Sequence, residues 1–150
     1  MLSNEKVTIG FRQAQQSDIG YLLQLRKATM GEHLIVAGLN LSDQQHLERI
    51  SEYFADSSII LMNKQPIGLI KLGVATDKLH IRQLQISPQF QGKGVGGKVL
   101  ALVKEKAKEL GLPLTLNVLL ANPAISLYLR NGFTVTGQNQ LEYQMRCESK

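Results

Sequence analysis

Residues 84–97 read LQISPQFQGKGVGG and join an apolar stretch to a glycine-rich loop. Glycine occupies four of the last six positions, at 92, 94, 96 and 97. Glycines let the backbone turn tightly and leave its N–H groups unobstructed. A helix that begins after such a loop adds the partial positive charge of its N-terminus. The stretch therefore predicts a phosphate-binding loop between a strand and a helix, the alternative being a glycine turn that serves only close packing.

Two nucleotide-binding motifs match this loop in part. Gly92, Gly97 and Lys98 have the spacing of a P-loop, but Val99 stands where that motif needs Ser or Thr to hold Mg²⁺. The glycines at 92, 94 and 97 also fit G-x-G-x-x-G, but no acidic residue ends a second strand about 20 residues further on. Neither nucleoside triphosphate hydrolysis nor dinucleotide binding is predicted.

Outward from the loop, the hydrophobic pattern predicts a mixed α/β sheet. Ser17-Asp18 and Ser42 are helix starts, the helix after the loop stops at Gly111, and Asn122-Pro123 opens a short fourth helix. Segment 31–41 is expected to connect the first two helices. The run 114–120 is apolar enough for a strand buried on both faces. The predicted strands are 7–12, 59–62, 67–75, 79–87, 114–120, 133–135 and 141–145.

Two motifs on either side of the third helix resemble the GCN5-related N-acetyltransferase (GNAT) superfamily. Residues 91–96, QGKGVG, match its Gln/Arg-x-x-Gly-x-Gly/Ala signature. Residues 122–133, NPAISLYLRNGF, are similar to its Asn-Pro-Ala-x-x-Leu-Tyr-x-x-x-Gly-Phe segment. The resemblance implies an α/β (α+β) fold, with a mixed, mostly antiparallel sheet of six to seven strands flanked by about four helices. It also implies a single acetyltransferase domain over residues 1–150.

The resemblance implies transfer of an acetyl group from acetyl-CoA to a primary amine, by direct attack in a ternary complex and without a metal (EC 2.3.1.-). The Ile86 N–H would polarise the thioester carbonyl, and Tyr128 would protonate the departing thiolate. The loop would bind the pyrophosphate, and strand 84–87 would bind the pantetheine arm. The cofactor-binding residues implied are Leu84, Gln85, Ile86, Gln91, Gly92, Lys93, Gly94, Val95, Gly96, Gly97, Lys98, Asn122 and Tyr128.

The general base is where the chain departs from the family pattern. Many members carry a Glu on the strand before the loop, where this chain has Gln83 and Gln85, and neither side chain titrates. Water, Glu32, His33 or His80 must then take the proton. His33 is preferred, because segment 31–41 is expected to line the acceptor pocket. The missing carboxylate also motivates an alternative function, a catalytically weak acyl-CoA-binding regulatory or interaction domain.

Composition excludes several other classes of protein. With 43% hydrophobic and 19% charged residues, the chain is typical of globular rather than disordered proteins. The single cysteine, Cys147, cannot form an intramolecular disulfide. No signal-like start or membrane-length apolar stretch occurs, which favours a cytoplasmic location without a membrane partner.

The partners are less constrained than the fold. Residues 76–150 carry 10 Lys and Arg against 5 Asp and Glu, which suits a phosphate-bearing partner. The absence of Trp weighs against nucleic acid as that partner. The acceptor is left open between a small-molecule amine and a peptide amine, as is the use of acyl groups other than acetyl. The apolar residues in 34–41 fit a hydrophobic acceptor, a homodimer contact or packing between the helices.

Overall fold

The computed structural model describes residues 7–148, without the side chains of residues 31–33. This part of the chain forms seven strands, four α-helices and three short 3-10 helices, in the order that the sequence predicts. The strands are β1 (Ile9–Gln13), β2 (Ser57–Met62), β3 (Gln65–Val74), β4 (Leu79–Ile86), β5 (Leu114–Leu119), β6 (Thr134–Gln138) and β7 (Glu142–Cys147). The helices are α1 (Ile19–Val36), α2 (Asp43–Ser51), α3 (Val95–Leu110) and α4 (Ile125–Arg130), and the 3-10 helices are Gln16–Asp18, Phe54–Asp56 and Pro88–Phe90.

All seven strands form one sheet in the order β1-β2-β3-β4-β5-β7-β6. Only β4 and β5 pair in parallel; the other neighbours are antiparallel. The parallel pairing runs from Leu79 opposite Leu114 to Ile81 opposite Leu116 and stops there. Strand β4 stays paired with β3 as far as Ile86, and β5 stays paired with β7 as far as Leu119. The sheet is therefore split between β4 and β5 over the second half of β4.

The two faces of the sheet carry separate hydrophobic cores. Helices α3 and α4 cover one face, where the buried residues include Ile81, Val99, Leu100, Val103, Leu116, Tyr128 and Phe133. Helices α1 and α2 cover the other face, mainly over β2 and β3, where the buried residues include Leu22, Leu25, Ile50, Ile59 and Leu69. Successive side chains of a strand point to opposite faces, so β4 contributes to both layers.

Helix α1 is longer than the sequence indicates. The expectation that 31–41 is a connecting segment is wrong for its first six residues, since α1 continues to Val36. Glycine inside a helix costs only about 1 kcal/mol relative to alanine, and the buried side chain of Leu34 favours continuation. A turn at residues 37–38 follows the helix, and the φ of 84° at Gly38 allows the Leu39 N–H to donate to the Leu34 carbonyl at 2.7 Å.

Two further local expectations can be compared with the structure. The capping box at the start of α2 is confirmed, because the Gln45 N–H donates to Ser42 Oγ at 3.2 Å and the Ser42 N–H donates to Gln45 Oε1 at 2.8 Å. The expectation that β5 is buried on both faces is wrong, because Asn117 is exposed and Thr115 is half-buried. Helices α1 and α2 leave this side of β5 open.

Helix α3 is amphipathic, as its position on the sheet requires. Val99, Leu100 and Val103 are buried against the sheet, while Lys106 and Lys108 are exposed. Within the described residues, none of the helices combines the length and apolar character needed to cross a membrane.

Close packing of β3 against β4 depends on the absence of a side chain at Gly68. A Cβ at this position would lie 2.2 Å from the backbone oxygen of Gln85, a distance that forces the strands apart. We expect Gly68→Ala to lower the free energy of unfolding by about 2 kcal/mol, as for other overpacked sites. Urea denaturation of the wild-type protein and the variant measures this difference in the free energy of unfolding. The matched control is Gly10→Ala in β1, where a Cβ would meet no atom within 4 Å and the change should stay within about 0.5 kcal/mol. Equal losses in the two variants would contradict the packing argument.

Candidate active site

A cleft of about 440 Å³ opens where β4 and β5 separate. Its walls come from the end of β4, the glycine loop, the start and end of α4, and residues 29–30 of α1. Most of the residues singled out in the sequence meet here, although Leu84 and Tyr128, the first and last of them, are 44 positions apart in the chain. Those that line the cleft are Leu84, Gln85, Ile86, Gln91, Gly92, Gly94, Gly96, Gly97, Asn122 and Tyr128.

The end of β4 presents free backbone groups to this cleft. The Ser87 N–H donates to the Ile67 carbonyl of β3 at 2.8 Å. Because successive residues of a strand direct their N–H groups to opposite sides, the N–H groups of Ile86 and Leu84 face away from β3. Strand β5 no longer pairs with β4 at this level. These groups are therefore available to a ligand that lies along the strand.

The glycine loop is held open at the N-terminus of α3. Gly92 and Gly94 have φ values of 73° and 79°, and a Cβ on either one would meet no atom within 4 Å. Gln91 fixes the loop to the end of β4, because its Nε2 donates to the Ile86 carbonyl at 2.8 Å. Gly94 then precedes the first turn of α3, whose N–H groups lack intrahelical partners. Open backbone N–H groups at a helix N-terminus form a site for a phosphate group.

Helix α4 forms the opposite wall and packs closely on α3. A Cβ at Gly96 would lie 2.8 Å from Leu127 Cδ2, so the two helices approach at this glycine. Asn122 stabilises the turn before α4, because its Oδ1 accepts the Ala124 N–H at 2.9 Å.

Tyr128 lies on α4 and faces the cleft from a buried position. The side chain is 6% exposed, and its ring packs edge-on against Phe133 with 5.7 Å between ring centroids. Burial raises the pKa of the Tyr128 phenol to about 12, because the low-dielectric surroundings disfavour the phenolate. Tyr128 therefore keeps its proton at neutral pH and can donate it.

Three of the predicted residues, Lys93, Val95 and Lys98, do not line the cleft. Lys93 and Lys98 are exposed and are not among the lining residues, and Lys93 Nζ lies 6.0 Å from the centre of the Phe90 ring. The side chain of Val95 belongs to the core under α3, so only its backbone N–H is at the loop. His33 lies on α1, and its side chain is outside the described residues, so its role stays a prediction.

Sequence reasoning missed several residues that line the cleft. Thr29 and Met30 reach it from α1, and their place there depends on how α1 packs across the sheet. Arg130, at the end of α4, adds an exposed positive charge to the rim, as the phosphate-binding interpretation favours. Because Arg130 lies within the segment 122–133 that resembles the family motif, the sequence could have identified it as a cleft residue. Pro123, Ala124 and Leu127 complete the wall.

Among the described residues that line the cleft, none is Asp, Glu or His. His80 lies in the paired part of β4, where its Nδ1 is 2.7 Å from Thr115 Oγ1, and it does not line the cleft. Burial and the charges of Lys78 and Arg82 lower the pKa of His80.

Two buried cations lie on the α1 and α2 side of the sheet. Lys71 is 2% exposed, and its Nζ donates to the carbonyls of Ile50 and Glu52 at 3.2 and 2.7 Å, which caps the end of α2. Burial lowers the pKa of Lys71 to about 8. Arg26 donates through Nε to His46 Nδ1 at 3.0 Å, and burial next to Arg49 lowers the pKa of Arg26 to about 10.

The split sheet, the open glycine loop and a buried tyrosine at one cleft define an acyltransferase of the GNAT class. The acetyltransferase (GNAT) domain family matches residues 26–147. The chain therefore belongs to this family and is a GNAT-type N-acetyltransferase (EC 2.3.1.-). Members of the family use acetyl-CoA. A comparison with curated proteins found no match.

Solved structures show the same fold at low sequence identity. The PaiA N-acetyltransferase from Thermoplasma acidophilum, in complex with coenzyme A, has a TM-score of 0.72 and 20% identity, covering 94% of this chain and 99% of that one. An acetyltransferase (GNAT family) from Bacillus anthracis has a TM-score of 0.71 and 13% identity, covering 96% of this chain and 97% of that one. At these identities the likeness establishes the fold alone.

Proposed function

We propose that this protein transfers an acetyl group from acetyl-CoA to a primary amine, by direct attack of the amine in a ternary complex. The observation that carries the proposal is the free edge of β4 beyond Ile81, which leads directly to the open glycine loop. The strand edge suits a ligand arm that contains amides, and the adjoining phosphate site suits a pyrophosphate at the end of that arm.

The residues present fit this cofactor. The loop N–H groups from Gly92 to Gly96 would hold the pyrophosphate, since the space that side chains would fill at Gly92 and Gly94 is empty. The exposed guanidinium of Arg130 at the rim would add a charge-assisted contact. The amides of the pantetheine arm would pair with the Leu84 and Ile86 backbone, as a peptide adds to a sheet edge.

Acetyl-CoA supplies an acetyl thioester, whose carbonyl carbon is open to attack by an amine. The Ile86 N–H faces the cleft and would stabilise the charge that develops on the carbonyl oxygen. In the overall step the C–N bond forms, the C–S bond breaks, the amine loses one proton and the departing sulfur gains one. Tyr128 would donate the proton to sulfur and recover one from solvent after the product leaves. The amine's proton would pass to water or to His33.

Tyr128→Phe tests the proton-donor role. We expect turnover to fall by about 10²-fold, in the usual range for one general acid, with the Kd for acetyl-CoA unchanged within about twofold. Release of free CoA thiol measures turnover, and calorimetry measures binding. Tyr143→Phe in β7 is the matched control, because this half-buried tyrosine does not line the cleft. Unchanged turnover in Tyr128→Phe would remove Tyr128 from the mechanism.

Calorimetric titration with acetyl-CoA tests the cofactor site, with ATP as the control ligand. Gly94→Glu places a carboxylate in the proposed phosphate site and should weaken binding at least about tenfold, because charge-assisted hydrogen bonds are lost. Gly111→Glu is the matched control at the other end of α3, where φ is 69° and a Cβ would also meet no atom within 4 Å. Both variants bear a similar left-handed backbone strain of about 1–2 kcal/mol.

Three outcomes of this titration and of the thiol-release assay distinguish the proposed function from its alternatives. Saturable acetyl-CoA binding that is lost only in Gly94→Glu supports the proposed site. Absence of acetyl-CoA binding by the wild-type protein would overturn the proposed function. Tight binding without thiol release, on any amine, would favour the alternative of a catalytically weak acyl-CoA-binding domain.

A further inference from the structure

The side-chain amide of Gln85 is buried in the cleft wall without a hydrogen-bond partner. The residue is 3% exposed, and neither Nε2 nor Oε1 has a partner among the described residues. Buried polar atoms in folded proteins are nearly always paired, and an unpaired amide is destabilising. An amide left in this state at a binding cleft points to a ligand that supplies the missing partners.

The sheet register shows on which side of the cleft this amide lies. Gln85 stands opposite Leu69 on β3, and Leu69 belongs to the core under α1 and α2. Thr29 and Met30 of α1 line the same cleft. The Gln85 amide therefore lies between β4 and α1, on the face opposite the glycine loop and α3. The torsion at the end of a glutamine side chain is broad, so the amide can turn toward a partner that enters the cleft.

The charges on this side of β4 disfavour a cationic ligand. Lys71 stands opposite Gln83, two register positions from the Gln85–Leu69 pair, and the positive charge of Arg26 acts on it. Both cations are buried, whereas no Asp or Glu is buried among the described residues; Glu52 and Asp56 are exposed or half-buried and act only at longer range. Nearby positive charge favours the uncharged amine over the ammonium ion. The uncharged amine is also the form that can attack a thioester.

We propose that the acceptor is an amine whose neighbouring carbon bears a carbonyl or carboxylate oxygen, and that the Gln85 amide binds both groups. Its Oε1 accepts a hydrogen bond from the amine N–H, and its Nε2 donates to the oxygen. A simple alkylamine or a polyamine satisfies Oε1 alone and leaves Nε2 unpaired. A free α-amino acid and the N-terminal residue of a peptide both have the required pair of groups. This inference rests on the proposed acetyl transfer and defines its substrate class.

The first experiment compares matched acceptors with the wild-type protein and acetyl-CoA. Each standard amino acid is assayed beside its amide, its decarboxylated amine and a short peptide that begins with the same residue, with thiol release as the readout. We expect the best oxygen-bearing acceptor to exceed its decarboxylated amine by about 10- to 100-fold in kcat/KM, the effect of leaving one buried donor unpaired. The ratio of amino acid to peptide identifies which of the two sources is used.

Two variants assign this preference to Gln85. Gln85→Met keeps the length of the side chain without its polar atoms. The ratio of kcat/KM for the oxygen-bearing acceptor to kcat/KM for its decarboxylated amine should therefore fall toward one, while the Kd for acetyl-CoA stays within about twofold. Gln85→Glu keeps the acceptor oxygen and adds a negative charge, which repels a carboxylate. We therefore expect kcat/KM to fall more for the free amino acid than for its amide. Gln24→Met is the matched control, at an exposed position of α1 outside the cleft lining.

Several results would overturn the inference and leave acetyl transfer intact. One such result is a kcat/KM for the decarboxylated amines equal to that for the matched oxygen-bearing acceptors. Another is an unchanged preference in Gln85→Met, when thermal unfolding shows that the variant is folded. Acetyl-CoA binding without transfer to any α-amino carbonyl compound would also overturn it. The proposed function itself fails separately, if acetyl-CoA does not bind to the wild-type protein.

Discussion

The end of the parallel pairing between β4 and β5 is the constraint on which the site depends. The two strands share three residue pairs and then separate, while each stays paired with an antiparallel partner on its other side, β4 with β3 and β5 with β7. On the side that faces away from β3, the β4 backbone beyond Ile81 is thereby left without a strand partner in the middle of a sheet, and of the groups described there only the Ile86 carbonyl is paired, with the Gln91 side chain. Polar backbone groups in such a place require partners. A ligand with amide groups of its own satisfies them as another strand would.

The chemistry on either side of this split follows from burial and charge. On the α3 side, an open glycine loop and a helix N-terminus attract negative charge, and the buried Tyr128 retains its proton because desolvation raises the pKa of the phenol to about 12. On the α1 side, Lys71 and Arg26 are buried cations, and the buried Gln85 amide has no hydrogen-bond partner among the described residues. Under the proposed function, one cleft would join a site for an anionic cofactor to a site that favours an uncharged amine, which would compensate in part for the missing carboxylate base.

The sequence predicts those features that are local. The glycine loop, the Ser42 capping box and the stop at Gly111 are each encoded within a few residues, and the motif at 122–133 located Tyr128 through its resemblance to the family. The end of α1 was missed, because Gly31 is only mildly unfavourable in a helix and the packing of Leu34 decides the outcome. Long-range packing also brings Thr29, Met30 and the Lys71 cap of α2 into place. These contacts join residues that are far apart in the chain, so no pattern of neighbouring residues predicts them.

Amide hydrogen exchange with and without saturating acetyl-CoA tests the central claim most directly, that the split edge of β4 and the glycine loop hold the cofactor together. Backbone amides that gain hydrogen bonds or lose exposure exchange more slowly. Slower exchange is expected in segments 84–86 and 91–97, with little change in β1 and β6. Protection confined to β6 and β7, or none at saturation, would contradict it.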